Sequence, residues 1–147
     1  MTTKVRAIDP ELAAAIADSE RPDLAGDLAE ARRIMGSGGL PIAAAEAAYG
    51  TRVVVSERSV DLADRSFTVR LYTPSRLEAP APALLLLHGG AFVGGDRAAE
   101  HARSLKYAAE TGCIVISPEY RLAPEHAYPA ALDDVLATLA WMDDPEL

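Results

Sequence analysis

The chain has 147 residues, half of them hydrophobic, which is the length and composition of one domain with a packed core. Its 22 acidic and 14 basic residues give a net charge of -8, which argues against a nucleic-acid-binding surface. One cysteine and three scattered histidines exclude an internal disulfide framework and any spacing typical of a zinc site. No apolar segment reaches membrane-spanning length, and the first residues lack the pattern of a signal peptide, so we predict a cytoplasmic protein.

Three helices are predicted in the first fifty residues. Asp9 followed by Pro10 is a helix-start signal, because the carboxylate can accept from free backbone N–H groups and proline loses no helical bond there; this helix should run to about Ala17. The second should begin near Asp23 and end at the glycines of residues 36–39. Its apolar residues at helical spacing are Leu24, Leu28, Ala31 and Met35. The segment "PIAAAEAAYG" predicts a short third helix.

From Arg52 the pattern changes to that of strands. The segments "RVVVSERSV" and "SFTVRLYTP" are rich in β-branched residues, and apolar and polar side chains alternate in the second. They are joined through Asp61 to Arg65, which predicts an antiparallel hairpin.

The second half of the chain alternates strands and helices. Leu84 to Leu87 is a continuous apolar run, typical of a strand covered on both faces, and "CIVIS" predicts a second such strand. A helix from about Arg97 to Glu110, ending at Gly112, should connect them in parallel through a right-handed crossover. Pro129 should open a last helix with an apolar stripe formed by Leu132, Val135, Leu136, Leu139 and Met142.

The segment "HGGAFVGGD", residues 88–96, follows the first of these strands, where α/β folds bind their ligands. It does not match G-x-G-x-x-G, and no Lys-Ser/Thr pair follows, which argues against a phosphate-binding loop. Small residues instead allow backbone N–H groups to approach a substrate carbonyl and stabilise the negative charge that develops in acyl transfer. A tight structural turn is the alternative explanation for Gly89 and Gly90.

"HGGAFVGGD" and "YRLAPEHAYPAALDD", residues 120–134, resemble the two signature blocks of the α/β-hydrolase fold-3 family, the hormone-sensitive-lipase-like esterases. The resemblance is dense from about Leu84 to Trp141 and weak before Arg52. It implies an α/β fold: the N-terminal half of an α/β-hydrolase sheet, with an antiparallel first hairpin, then parallel strands with crossover helices, preceded by N-terminal cap helices. Residues 1–50 would be the cap segment and residues 51–147 a partial hydrolase domain.

By this resemblance, Gly90 and Ala91 present the N–H groups of an oxyanion hole, and Gly89 permits the turn. Ala91 stands where the family more often has a third glycine, and we expect it to keep the N–H donor and add only a methyl group. Six polar residues are expected to hold the loops rather than to react: His88, Asp96, Tyr120, Arg121, Glu125 and Asp133.

The family also has a catalytic serine in a G-x-S-x-G turn, on the order of 70 residues beyond the oxyanion motif, followed in the chain by an acid and a histidine. No G-x-S-x-G occurs in the 147 residues. We therefore expect the nucleophile, acid and base to lie beyond Leu147, and the chain alone to be inactive. The completed protein would be a carboxylic-ester hydrolase that takes small acyl esters and needs no cofactor or metal.

The apolar strand from Leu84 would be central in the complete sheet, so here one of its edges would lack a partner. We expect the chain to be unstable alone, to form a homo-oligomer, or to be complemented by a C-terminal half. The alternative function is a non-catalytic interaction or binding module that dimerises or is complemented through this exposed sheet edge.

Overall fold

The computed structural model describes residues 8–17, 19–36, 41–78 and 80–143. Helix α1 spans Pro10–Ala17, α2 spans Leu28–Gly36 and α3 spans Ile42–Tyr49. The first and third are where the sequence predicts them. At the start of α1 the N–H of Glu11 donates to the Asp9 carboxylate at 2.9 Å, as expected of a capping residue.

Helix α2 begins later than predicted, because Asp27 and not Asp23 caps it. The Asp27 carboxylate accepts from the N–H groups of Ala29 and Glu30 at 2.8 and 3.3 Å. Asp23 instead accepts from the N–H of Ala25 and closes a turn that precedes α2. The sequence predicts that the glycines of residues 36–39 end this helix. Gly36 is its last residue, and residues 37–39 lie outside the described residues.

Four strands form one mixed sheet in the order β1-β2-β4-β3. Strands β1 (Val53–Asp61) and β2 (Ser66–Pro74) form the predicted antiparallel hairpin. Strand β4 (Ile114–Pro118) pairs antiparallel with β2 and parallel with β3 (Ala83–Leu85). The predicted fold class, an antiparallel hairpin followed by parallel strands with a crossover helix, is confirmed.

Helix α4 (His101–Thr111) is the crossover between β3 and β4, and α5 (Ala130–Met142) follows β4. Residues 97–100, which the sequence assigns to α4, form turns. As predicted, Gly112 ends α4: it adopts a left-handed φ of 73°, and its N–H donates to the Ala108 carbonyl.

The sheet has two unlike faces. On one, α3 and α4 pack over a core that includes Tyr72, Leu105 and Val115, all buried. On the other, a smaller cluster around Val69 and Ile116 meets the end of α5. The core therefore lies mainly between the sheet and α4.

The predicted two-sided cover of the apolar strand is wrong for the described part of the chain. Leu84 in β3 and Leu87 just beyond it remain 37% and 42% exposed. The stripe of α5 is also open, since its buried residues are Ala130, Asp134 and Thr138, whereas its leucines face outward. None of the described helices combines the length and the apolar character that crossing a membrane requires.

Candidate active site

The glycine loop, residues 88–95, makes a tight turn beyond the carboxyl end of β3. The N–H groups of Val93 and Gly94 both donate to the carbonyl oxygen of Gly90, at 3.0 and 2.9 Å. Positive φ angles occur at four loop positions: Gly90 (128°), Ala91 (53°), Phe92 (63°) and Gly95 (78°). A run of three such residues is unusual, and it places successive peptide groups in orientations that an ordinary turn does not reach.

Gly90 and Gly95, and not Gly89, are the glycines that this backbone requires. A Cβ on Gly90 would collide with the carbonyl oxygen of Gly94, and a Cβ on Gly95 with that of Gly89. At Gly89 itself φ is not in the left-handed region, and a Cβ would meet no atom within 4 Å. The expectation that Gly89 permits the turn is therefore wrong: the turn would accept alanine there.

The loop also leaves backbone donors free. Within the described residues, the N–H groups of Gly90 and Ala91 donate to no acceptor. Gly90 is half-buried and Ala91 is exposed, so both lie at the surface of the loop. Two adjacent unpaired donors on a fixed turn can stabilise an oxygen that carries developing negative charge.

His88 and Tyr120 hold the start of the loop. Both are buried, and their rings stack with centroids 4.1 Å apart. The Tyr120 hydroxyl donates to the His88 carbonyl oxygen at 2.6 Å. His88 Nδ1 lies 2.9 Å from the Gly89 carbonyl oxygen, a contact that requires a proton on Nδ1. Burial raises the pKa of Tyr120 to about 12, so this hydroxyl stays protonated and able to donate.

Arg32 on α2 reaches both signature segments. Its Nε donates to the Val93 carbonyl oxygen at 2.7 Å, and its Nη2 to the Ala123 carbonyl oxygen at 3.1 Å. The guanidinium also forms a two-pronged pair with Glu125, at 2.8 and 2.7 Å. The hydrogen bond from Arg32 lowers the pKa of Glu125 to about 2, so this carboxylate is ionised at neutral pH.

Asp134 joins the second signature segment to α5 and to the hairpin. Its buried carboxylate accepts from the backbone N–H and guanidinium of Arg121, and from the guanidinium of Arg65. Burial acts to raise the pKa of Asp134, but the hydrogen bonds from Arg121 and Arg65 outweigh it, and the pKa is lowered. Asp133, which the sequence suggests for this task, is exposed, because the helix turns its side chain away from Arg121.

The remaining sequence-predicted residue, Asp96, acts locally. Its carboxylate accepts from the N–H of Ala99 at 2.9 Å and so shapes the turns that lead into α4. Among the described residues, no group of three His, Cys, Asp or Glu side chains is placed to hold a metal ion.

Two of these residues escaped sequence reasoning. Asp134 stands beside Asp133 near the start of α5, and only its burial distinguishes the two aspartates. Arg32 lies 61 residues before Val93 and 91 and 93 residues before Ala123 and Glu125, and no motif links it to them. Arg32 shares the helical stripe of Leu28, Ala31 and Met35, and an arginine within this apolar stripe is the signal in the sequence that points to it.

Known proteins resemble this chain in sequence and in fold. A family model described as "alpha/beta hydrolase fold" matches residues 84–146. Esterase LipI of Mycobacterium tuberculosis is 43% identical over 75 residues, which cover 50% of this chain and 23% of LipI. A bacterial heroin esterase superposes with a TM-score of 0.70 and 33% identity, over 92% of this chain and 42% of that one. Residues 84–146 therefore carry the sequence pattern of the α/β-hydrolase fold, and the chain is similar to esterases in both sequence and structure.

The match is partial on the side of the relatives. Lipase 2 of Moraxella sp. (strain TA144) is 37% identical over 106 residues, which cover 67% of this chain and 24% of the lipase. The chain thus spans about a quarter of the matched sequences and 42% of the heroin esterase structure.

Proposed function

We propose that this chain supplies the oxyanion hole of a carboxylic-ester hydrolase. The observation that carries the proposal is the pair of unpaired N–H groups at Gly90 and Ala91, held on the strained turn beyond β3. The α/β-hydrolase family model adds support, because the residues that it matches, 84–146, include this loop.

The chemistry of the proposal follows from charge development. When a nucleophile attacks an ester carbonyl, the carbonyl oxygen becomes negative, and preorganised N–H donors stabilise that charge. Gly90 and Ala91 supply these donors, while His88 and Tyr120 keep the loop in place. The serine nucleophile, the acid and the histidine base come from outside the 147 residues, since no G-x-S-x-G occurs within them. The chain alone is therefore inactive.

We propose that the rest of the hydrolase covers the exposed α5 side of the sheet. Next to the glycine loop, an apolar groove of about 460 Å³ is lined by Leu87, Phe92 and Leu132, among others. The outward leucines of α5 continue this apolar surface. Such a surface is of the kind that a further strand and helix cover, and the matched esterases are more than twice as long as the part they share with this chain.

The same exposed face favours a second candidate function. Two copies of the chain could pair through the free edge of β3 and the leucines of α5, and so form an interaction module without catalysis. The residue 1–50 cap segment and the cytoplasmic location stay predictions under either function, and the small acyl-ester substrate stays a prediction under the first.

The two functions are separated by comparing the 147-residue chain with the product of the reading frame that continues past the Leu147 codon. Each protein is assayed for p-nitrophenyl butyrate hydrolysis and for labelling by a serine-reactive fluorophosphonate. We expect turnover and labelling of the longer product only. Labelling of a serine within the 147 residues would overturn the assignment of the nucleophile. A stop codon after Leu147, together with a stable dimer that neither hydrolyses the ester nor reacts, would favour the interaction module.

A further inference from the structure

Arg32 connects three parts of the molecule that are far apart in the sequence. Its guanidinium, carried by α2, contacts the oxyanion loop at Val93 and the second signature segment at Ala123 and Glu125. The two loops also touch directly, since the N–H of Ala123 donates to the Phe92 carbonyl oxygen at 2.8 Å. We infer that Arg32 is a positioning residue, which locks the oxyanion loop to the second signature segment and so makes α2 part of the acyl-transfer site. This inference rests on the proposed function.

The bonding pattern requires an arginine. The planar guanidinium offers five N–H donors in a fixed fork, and here Nε and both terminal nitrogens are engaged in different directions. A lysine ammonium could keep the charge and pair with Glu125, but it could not reach both carbonyl oxygens at once. Replacing Arg32 with lysine should therefore separate the electrostatic contribution from the geometric one.

A displacement at Val93 would pass directly to the oxyanion donors. The N–H of Val93 donates to the carbonyl oxygen of Gly90, whose own N–H is one of the two proposed oxyanion donors. Residues between them have left-handed backbone angles, which persist only where the surroundings hold them. By holding the Val93 carbonyl, Arg32 fixes the far end of this strained turn.

Helix α2 also contacts the loop sterically. A Cβ on Gly94 would collide with the terminal methyl of Met35, so this methyl lies directly over the buried backbone of Gly94. Arg32 and Met35 are one turn apart and form one face of α2 against the loop. The helix therefore covers the loop as well as bonding to it.

The neighbouring Arg33 provides a matched control. It is on the same helix and has the same charge, and it likewise pairs with carboxylates, those of Glu30 and Glu20, at 2.7 and 3.2 Å. These partners lie in the N-terminal segment and not in the signature loops. Loss of Arg33 should disturb α2 without disturbing the oxyanion loop.

The test compares Arg32→Gln, Arg32→Lys and Arg33→Gln in the complete esterase. For Arg32→Gln we expect kcat for p-nitrophenyl butyrate to fall about tenfold, less than the roughly hundredfold loss on removing an oxyanion donor, with KM changed less than about twofold. Arg32→Lys should recover part of this loss, and Arg33→Gln should change kcat by less than about twofold. An equal loss in both glutamine variants, or none in Arg32→Gln, would overturn the inference.

Amide hydrogen exchange gives a second readout that does not depend on activity. In Arg32→Gln the hydrogen-bonded amides of Val93 and Gly94 should exchange about tenfold faster than in the parent, while those of β2 and α4 keep their rates. If the parent protein shows no serine-dependent hydrolysis, the proposed function fails, but exchange still decides whether Arg32 holds the loop. Unchanged exchange at Val93 and Gly94 would overturn the inference even in an active esterase. Should Arg32→Gln not fold, Glu125→Gln, which weakens the same contact without removing the arginine, should give a smaller acceleration in the same amides.

Discussion

The two faces of the sheet are stabilised differently. Under α3 and α4 the core is apolar and closed, with Tyr72, Leu105 and Val115 almost inaccessible to solvent. On the α5 side a polar group, Asp134, is buried, while Leu136 and Leu139 are 53% and 45% exposed. In the described part of the chain the first face is closed except at its β3 edge, where Leu84 stays exposed, whereas the second depends on buried ion pairs and presents its apolar residues outward. The glycine loop lies at the margin of this second face.

The largest expected effect on stability follows from removing the Asp134 carboxylate, which holds the α5 side together. Asp134→Ala leaves Arg65 and Arg121 without their shared partner, and removing one member of a buried pair is strongly destabilising. Because both arginines keep some solvent contact, we expect a loss of about 3 kcal/mol, at the lower end of the usual range. Urea unfolding measures it. Asp133→Ala is the matched control and should stay within about 0.5 kcal/mol, as at other exposed sites.

The contrast between closed and open faces is sharpened by removing one leucine from each. Leu105→Ala should cost about 3 kcal/mol, because the buried side chain leaves a cavity between α4 and the sheet. Leu136→Ala, on the outward side of α5, should cost less than about 1 kcal/mol and should reduce self-association of the isolated chain. Equal losses in the two variants would mean that the α5 face is covered in solution.

A substitution in the strained glycine loop is expected to raise the free energy of unfolding, by a smaller amount than the losses above. Ala91 has a φ of 53°, which costs an alanine about 1 kcal/mol relative to glycine. Ala91→Gly should therefore raise the free energy of unfolding by about 0.5 kcal/mol, after the greater entropy of unfolded glycine is subtracted. Ala140→Gly in the exposed part of α5 should instead lower it by about 1 kcal/mol. Calorimetry of both variants gives the two signs.

The smallest expected effect is a dependence of stability on pH. Glu125 has its pKa lowered to about 2 by the Arg32 hydrogen bond, against an ordinary value of 4.5. A depressed native pKa stabilises the fold above the ordinary value, and this contribution is lost as the pH falls from 4.5 towards 2. Melting temperatures at pH 6 and pH 3 should therefore differ less in Glu125→Gln than in the parent. Because Glu125 is half exposed, added salt should reduce this difference.

Local patterns in the sequence predicted most elements and their order. Three local patterns each predicted an element that the structure contains: Asp9-Pro10, the alternation in β2 and the apolar run from Leu84. Each pattern depends only on residues that are close together in the sequence. The predictions that failed depend on contacts between residues that are far apart in the sequence. Which of two adjacent aspartates is buried depends on where α5 meets Arg65, and which glycine must be glycine depends on the carbonyl of Gly94.

The candidate site was predictable in part for the same reason. Its backbone donors at Gly90 and Ala91 follow from a motif, and His88 and Tyr120 were expected to hold the loop. Arg32 was not predictable, because its role arises from packing α2 against a loop some sixty residues away. A motif indicates the chemistry of a loop, but the residues that fix its position come from the tertiary structure.

The most direct test of the oxyanion-hole assignment compares Gly90→Ala with Gly89→Ala in the complete esterase. Gly90→Ala forces the turn to rearrange, whereas Gly89→Ala adds a methyl group to open space. We expect kcat/KM for p-nitrophenyl butyrate to fall about a hundredfold in Gly90→Ala and by less than about threefold in Gly89→Ala, with both proteins folded by circular dichroism. A folded Gly90→Ala enzyme with parental kcat/KM would contradict the assignment.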